Sequence, residues 1–513
     1  MASGRPLQLI RCGDDTDNYA FTLNEAHLDE VTGKVPKGTR VAVVSVVGAF
    51  RTGKSFLLTL ILRYLRHAAR VGDGDVTDAW LTEEGNKIVE GNNNAGDAGE
   101  GGPASFEWRG GRVRMTTGIT VWSEPFLVTG ADGEQLAVVV LDTQGLFDNE
   151  TPMGLTSCIF GLSTLMSSYQ IYNVSNRIQE DNLQQLAPVL ALFTEYGRMA
   201  VDAQAQASTL AKEAEEAHAE KLRQEKLEAK RLAKLEARKC DGSHAAFDDG
   251  DDEPETPAAP GKDDEAEAEA PPPFQRLEFL VRDWNEFDDD MSDDDMTKMM
   301  ATYLEEVLQP RAADDLQFTR EQIAACFTKL SCWLLPHPGF AVTKKSYDGA
   351  VGDIEPLFKR CVHGLMKHVF SEGLEPKLIG GAPLSAAELA NYVRAYAGMF
   401  ADGAKFPQAQ TMLEATAEAN NRNAAGAALE AYCETMDAAC GARAGVEYLA
   451  HKELKAKFRE ARDGALLAFD TAATMGRKAA IADARAGLVQ GSKRERNSQL
   501  QRLISRPFST RFG

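Results

Sequence analysis

Residues 43–65 read "VVSVVGAFRTGKSFLLTLILRYL". The β-branched run that opens the stretch is the pattern of a strand buried on both faces of a parallel sheet. A turn bounded by glycines follows, and a helix is expected from Phe56 onward. Between them "GAFRTGKS", Gly48 to Ser55, matches G-x-x-x-x-G-K-[ST] in the strand-turn-helix setting that gives that motif its meaning. The glycines let backbone N–H groups turn inward toward phosphate oxygens, which a side chain would obstruct. Lys54 is then placed to reach β- and γ-phosphates, the Ser55 hydroxyl to ligate Mg²⁺, and the helix to add the positive end of its dipole. Gly48, Gly53, Lys54 and Ser55 form the first group of candidate contacts.

A second buried run, "LAVVVLDTQG" at 136–145, ends on Asp142 and Gly145. A carboxylate at that strand end can hold the metal through water, and the glycine N–H can meet the γ-phosphate. Between the two runs, "RMTTGITVW" offers Thr116 and Thr117. A threonine there can close over the metal and sense the γ-phosphate, and spacing does not choose between the two. Further on, "FLVRDW" sets Arg282 and Asp283 at the end of an apolar run, where a nucleotide-binding sheet makes its base contacts. A carboxylate accepts from both the ring N–H and the exocyclic amine of guanine, so Asp283 favours GTP as substrate. The rival reading, a P-loop ATPase or small-molecule kinase, predicts no guanine preference.

The chain has 513 residues, 43% of them hydrophobic, enough for two or three domains. Its formal net charge of -21 argues against nucleic acid and anionic lipid as partners, although residues 248–269 alone hold eleven acidic side chains against one basic. Eight cysteines without a C-x-x-C pair read as reduced thiols. No run reaches the roughly 18 apolar residues of a membrane span, so the chain as it stands is expected to be soluble. The α/β pattern, a mostly parallel sheet flanked by helices, occupies 1–372. Two insertions interrupt it: a Gly/Asn-rich loop at 90–102 and a charged, proline-rich segment at 201–273 that is expected to be disordered. After a linker at 373–384, residues 385–513 read as an all-α three-helix bundle. Its first helix opens on a capping box, Ser385 and Glu388, and carries Leu389, Tyr392, Val393, Tyr396 and Phe400 on one face. The same spacing returns at Leu429, Tyr432, Cys433, Met436 and Cys440, and Leu454, Phe458 and Ala461 extend it.

With these residues in hand, the chain resembles the atlastin branch of the dynamin-like GTPases. "GAFRTGKSFL", "FEWRGG", "TTGI", "LDTQGLFD", "LFTEYGR", "FLVRDW", "LLPHPG" and "MLEATAEANN" occur in the family's order over nearly all of residues 7–503. Guanylate-binding proteins share the P-loop arginine and the arginine-aspartate base motif. From the loop alone Arg51 reads as a solvated residue; the resemblance implies that it is the catalytic arginine, supplied within the subunit once dimerisation reorders the loop. It also implies nucleotide contacts at Arg51, Thr52, Gly53, Lys54, Ser55, Phe56, Asp142, Arg282 and Asp283 and a guanine-cap loop containing Val342 and Lys345, where Lys345 departs from the family's asparagine. The implied activity is GTP hydrolysis coupled to homodimerisation through the GTPase domains and to a swing of the bundle that fuses endoplasmic-reticulum membranes from their cytosolic face. Family members continue past the bundle with an apolar hairpin and an amphipathic tail, whereas this sequence stops at "QRLISRPFSTRFG". The expectation is therefore a truncated form or a soluble relative, the latter a GTP-dependent interaction module without fusion activity.

Overall fold

The computed structural model describes residues 4–504 apart from 14–19, 50–51, 73–75, 84–105, 107–117, 131–132, 146–152, 188, 197–198, 200–222, 224–271, 289, 312, 345, 401–407, 441–450, 474–475 and 477. The two insertions read from the sequence therefore lie outside the described residues, save Arg223 and 272–273.

The two apolar runs are neighbouring strands. β3 (Arg40–Gly48) and β6 (Gln135–Thr143) pair in parallel, with Val46 opposite Asp142, and nearly every residue of both is buried. Such strands need cover on both faces, which is why alternation is absent from their sequence. β7 (Tyr169–Ser175), β8 (Phe274–Trp284) and β9 (Phe327–Pro336) continue the parallel sheet on the other side of β3. β1 (Pro6–Cys12), β2 (Phe21–Leu23), β4 (Ile119–Trp122) and β5 (Phe126–Thr129) extend it antiparallel beyond β6. The nine-stranded order is β2-β1-β4-β6-β3-β7-β8-β9, with β5 also on β6. Because the chain passes from β3 to β6 on one side and then to β7 on the other, the order reverses at β3. The carboxyl end of β3 is therefore the crevice where an open α/β sheet takes its ligand.

α1 (Glu25–Thr32), α2 (Lys54–Val71), α3 (Trp80–Glu83), α4 (Met153–Met166), α5 (Glu180–Gln184), α6 (Asp293–Leu308), α7 (Asp314–Cys326) and α8 (Pro356–Lys367) flank the sheet. α2 begins at Lys54, two residues before the sequence expectation, because Gly53 in the left-handed region turns the chain straight into the helix. Aromatic contacts tie α2 to the C-terminal part of the sheet's cover: Phe56 to Phe358 at 6.3 Å, Tyr64 to Phe370 at 5.6 Å.

Contacts divide the chain into two compact units, 1–200 with 272–423 and 201–271 with 424–513. α9 (Ala386–Met399) starts on the expected capping box, with both reciprocal bonds between Ser385 and Glu388 present. Its apolar face, Leu389, Tyr392, Val393, Tyr396 and Phe400, is buried as the spacing predicts, and it packs within the first unit against α1, α4 and β2. α10 (Ala409–Cys440) begins in the first unit and ends in the second. The second unit, taken by itself, packs the later part of α10 with α11 (His451–Ala472) and α12 (Lys478–Ile504) around Tyr432, Met436, Phe458, Ala461, Phe469 and Leu488. Leu429, Cys433 and Leu454 lie half-buried at its edge.

Candidate nucleotide site

The carboxyl ends of four adjacent strands build the site. Register places Asp142 of β6 beside Val46, Gly48 of β3 beside Asn173 of β7, and Ser175 beside Arg282 of β8. The loop after β3 closes on itself: the Lys54 ammonium donates to the carbonyls of Gly48 at 3.1 Å and Ala49 at 2.9 Å, and the Thr52 hydroxyl donates to Ala49 O at 2.8 Å. Lys54 is buried, and that burial pulls its pKa down to about 8, with the Asp142 carboxylate opposing the shift and the Arg282 guanidinium adding to it. A cation so placed gains most when a dianionic phosphate arrives to replace water it has already lost.

Two glycines are required here by close approach. A Cβ on Gly48, at φ 148°, would lie 2.2 Å from the Asn173 carbonyl oxygen. One on Gly53, at φ 73°, would lie 2.0 Å from Arg282 Nη1. The second approach joins the loop to the Arg282–Asp283 pair, in which Arg282 Nη2 donates to Asp283 Oδ2 at 2.9 Å. Asp283 itself sits at φ 61°, and the β8–β9 register slips between Arg282 and Trp284, so it is the extra residue of a bulge. Bulges re-aim a side chain at the rim of a sheet, at a conformational cost of order 1–3 kcal/mol for a non-glycine residue. Gly53, Phe56, Leu57, Arg282, Asp283 and Phe358 line one cleft.

Ser55 Oγ donates to Asp142 Oδ2 at 3.2 Å. Two hard oxygens beside a phosphate loop fit Mg²⁺, which binds through one or two protein oxygens and keeps several waters. Gly145 is buried, two residues beyond the end of β6. Val342 lies half-buried in the turn beyond β9, its N–H donating to Gly339 O at 3.3 Å; it does not line the Asp283 cleft. Arg51, Thr116, Thr117 and Lys345 lie outside the described residues.

Two side chains that the sequence did not single out complete the frame. Asn173, fully buried, donates through Nδ2 to Thr52 O at 2.9 Å and Thr52 Oγ1 at 3.2 Å, fixing the loop to β7. Gln144, also buried, accepts from Gly118 N at 2.9 Å while its own N–H donates to Gly118 O at 2.7 Å. This couples the segment after Asp142 to the residue immediately after Thr117. The only sequence signal for Asn173 is a polar residue inside an apolar strand, "YQIYNVS".

The family described as guanylate-binding protein, N-terminal domain, matches residues 18–222 and 256–378. Atlastin of Drosophila melanogaster is 34% identical over 477 residues, covering 92% of this chain and 71% of the relative. Atlastin-1 of Bos taurus is 32% identical over 475 residues, covering 92% and 67%, and Atlastin-2 of Homo sapiens 32% over 476 residues, covering 92% and 65%. Ordered motifs, the geometry at the carboxyl ends of β6, β3, β7 and β8, and similarity over most of the chain agree: the chain belongs to the atlastin branch of the guanylate-binding-protein-like dynamin GTPases.

Proposed function

We propose that this GTPase couples hydrolysis to homodimerisation through its GTPase domains and to rearrangement of its helical bundle, and that it serves the fusion of endoplasmic-reticulum membranes. The observation that carries the catalytic part is the loop in which Lys54 is held on the Gly48 and Ala49 carbonyls beside the Ser55–Asp142 pair. Asp283 accepts from guanine N1–H and the 2-amino group, while Arg282 orients its carboxylate. Lys54 exchanges its bonds to loop carbonyls for β- and γ-phosphate oxygens, and the amides of the loop and of Gly145 close on the same oxygens. Water attacks the γ-phosphorus in line, the bond to the β–γ bridging oxygen breaks, and GDP leaves with the charge of the broken bond. Ser55 and Asp142, with Thr116 or Thr117, would hold Mg²⁺, which neutralises charge on the β- and γ-oxygens. Arg51 supplies the remaining cation to the transition state, an effect worth about 10³ to 10⁵ in rate.

Family membership supports the dimer and the membrane role. Light scattering tests them: a monomer with GDP and a dimer with a transition-state mimic is the expected result. A monomer under every nucleotide condition would remove the coupling while leaving the GTPase reading intact.

A further inference from the structure

The second unit carries a groove of about 360 Å³ between α10, α11 and α12. Tyr432 and Phe458, both buried, form an apolar floor. Five cations form the rim, Lys455, Arg459 and Arg462 from α11 and Lys493 and Arg496 from α12, and among the described residues no carboxylate lines it. Two other cations of this unit have acidic partners, Lys457 with Glu460 at 2.8 Å and Arg485 with Asp470 at 2.8 Å. Of the five at the rim, only Arg462 has one among the described residues, Asp463 at 2.7 Å. Lys455 and Arg459 stand one helical turn apart, as do Lys493 and Arg496, and like charges at that spacing repel. In a chain with 77 acidic and 56 basic residues, a groove whose described lining holds five cations and no carboxylate runs against composition. Its repulsion is relieved by a bound anion.

Size and donor chemistry narrow the anion. The volume lies in the range of small-ligand pockets. Arginine forks match planar or tetrahedral oxyanions through paired N–H donors, and lysines add point charge. We propose that this groove binds a small polyanion bearing two or more phosphate groups, with a compact scaffold resting on Tyr432 and Phe458. The same chemistry is offered by a free inositol polyphosphate and by a phosphoinositide headgroup.

The full chain is titrated at low salt with inositol hexakisphosphate by calorimetry, and in parallel floated with phosphatidylcholine vesicles carrying phosphatidylinositol 4,5-bisphosphate. Binding of the free probe assigns a soluble ligand, and binding of the vesicles alone assigns the headgroup. In either arm Arg459→Glu with Lys493→Glu weakens binding more than tenfold and Arg459→Gln with Lys493→Gln at least threefold, while GTP turnover is unchanged. All these side chains are exposed, and the neutral pair preserves a readout if charge reversal disturbs the fold. Rising salt weakens the interaction. The proposal is overturned if neither probe binds, if both variants bind as the parent does, or if a peptide of residues 248–269 binds in preference to both probes, which would make the groove a site for acidic polypeptide.

Discussion

Asp283 shows how much one residue decides. Its φ of 61° is tolerated by Asn as well as Asp, so Asp283→Asn keeps the bulge and removes the charge. The amide then accepts from guanine N1–H but presents N–H to the 2-amino group, while xanthine, with a carbonyl at that position, pairs with both. GTP affinity should fall about a hundredfold, on the order of 3 kcal/mol for lost bonds to a charged acceptor, and xanthosine triphosphate should bind better than GTP. Competition binding checks this, and unchanged guanine preference would place base recognition elsewhere. Lys54 carries a second prediction. Its proton leaves at about 8 without nucleotide because the side chain is buried. Phosphate favours the charged form, so binding takes up a proton once the pH exceeds that value. Affinity for GTP should be flat below pH 8 and fall by up to about tenfold per unit above it. Calorimetry in buffers of different ionisation enthalpy counts the proton; equal heats at pH 9 would contradict the assignment. That Gly48, Lys54, Ser55 and Asp142 lie together was legible in the sequence, because phosphate chemistry restricts residue type and spacing together. Asn173 and Gln144 were not, since a lone amide near a strand end looks the same whether it anchors a loop or only satisfies the backbone.

At the scale of elements, β3 and β6 were readable for a reason that does not extend to every strand. Burial on both faces leaves a continuous apolar run, whereas the short antiparallel β2, β4 and β5 offer three or four residues each, too few to show a period. The hairpin of β10 (Leu378–Ile379) and β11 (Ala382–Pro383) falls in residues read as a linker. It is tied to the sheet: Lys377 N–H donates to Val41 O at 2.7 Å, Leu384 O accepts from Val41 N at 2.9 Å, and Gln275 Nε2 donates to Pro376 O at 2.8 Å. The buried Lys377 ammonium donates to Ser167 O at 2.7 Å, and burial lowers its pKa to about 7. The unfolded chain holds this proton up to about 10.5 and the folded chain releases it near 7, so between those values the unfolded state carries more protons and stability rises with pH. The slope is up to about 1.4 kcal/mol per pH unit. Urea unfolding at pH 7 and pH 9 should show that rise in the parent and a flatter one in Lys377→Met. Equal slopes would show that the lysine stays charged when folded.

At the scale of the whole molecule, the position of α9 bears on where the units divide. Its capping box and apolar face were read correctly as a helix, but amphipathic spacing specifies a face to be buried and not the surface that buries it. Here Phe400 meets Phe21 at 5.9 Å, Tyr392 and Tyr396 enter the same core, and Arg394 bridges Glu25 at 2.7 Å and Asp29 at 2.6 Å. Five large side chains withdrawn from water contribute roughly 1.5–3 kcal/mol each, comparable together to the whole stability of a domain. The exposed ion pairs add little beside that. A fragment ending at Leu384, the end of the linker read from sequence, would uncover Phe21, Leu28 and the α4 surface, whereas one ending at Asn423 keeps them covered. The longer fragment should melt cooperatively and hydrolyse GTP at the basal rate of the full chain, and the shorter should aggregate or melt at least 10 °C lower, since each kcal/mol moves the midpoint of a domain this size by roughly 2–4 °C. Calorimetry of both fragments decides between the two boundaries: equal melting of the two would place α9 with the bundle, as its sequence spacing alone implied, and would leave the nucleotide site independent of it.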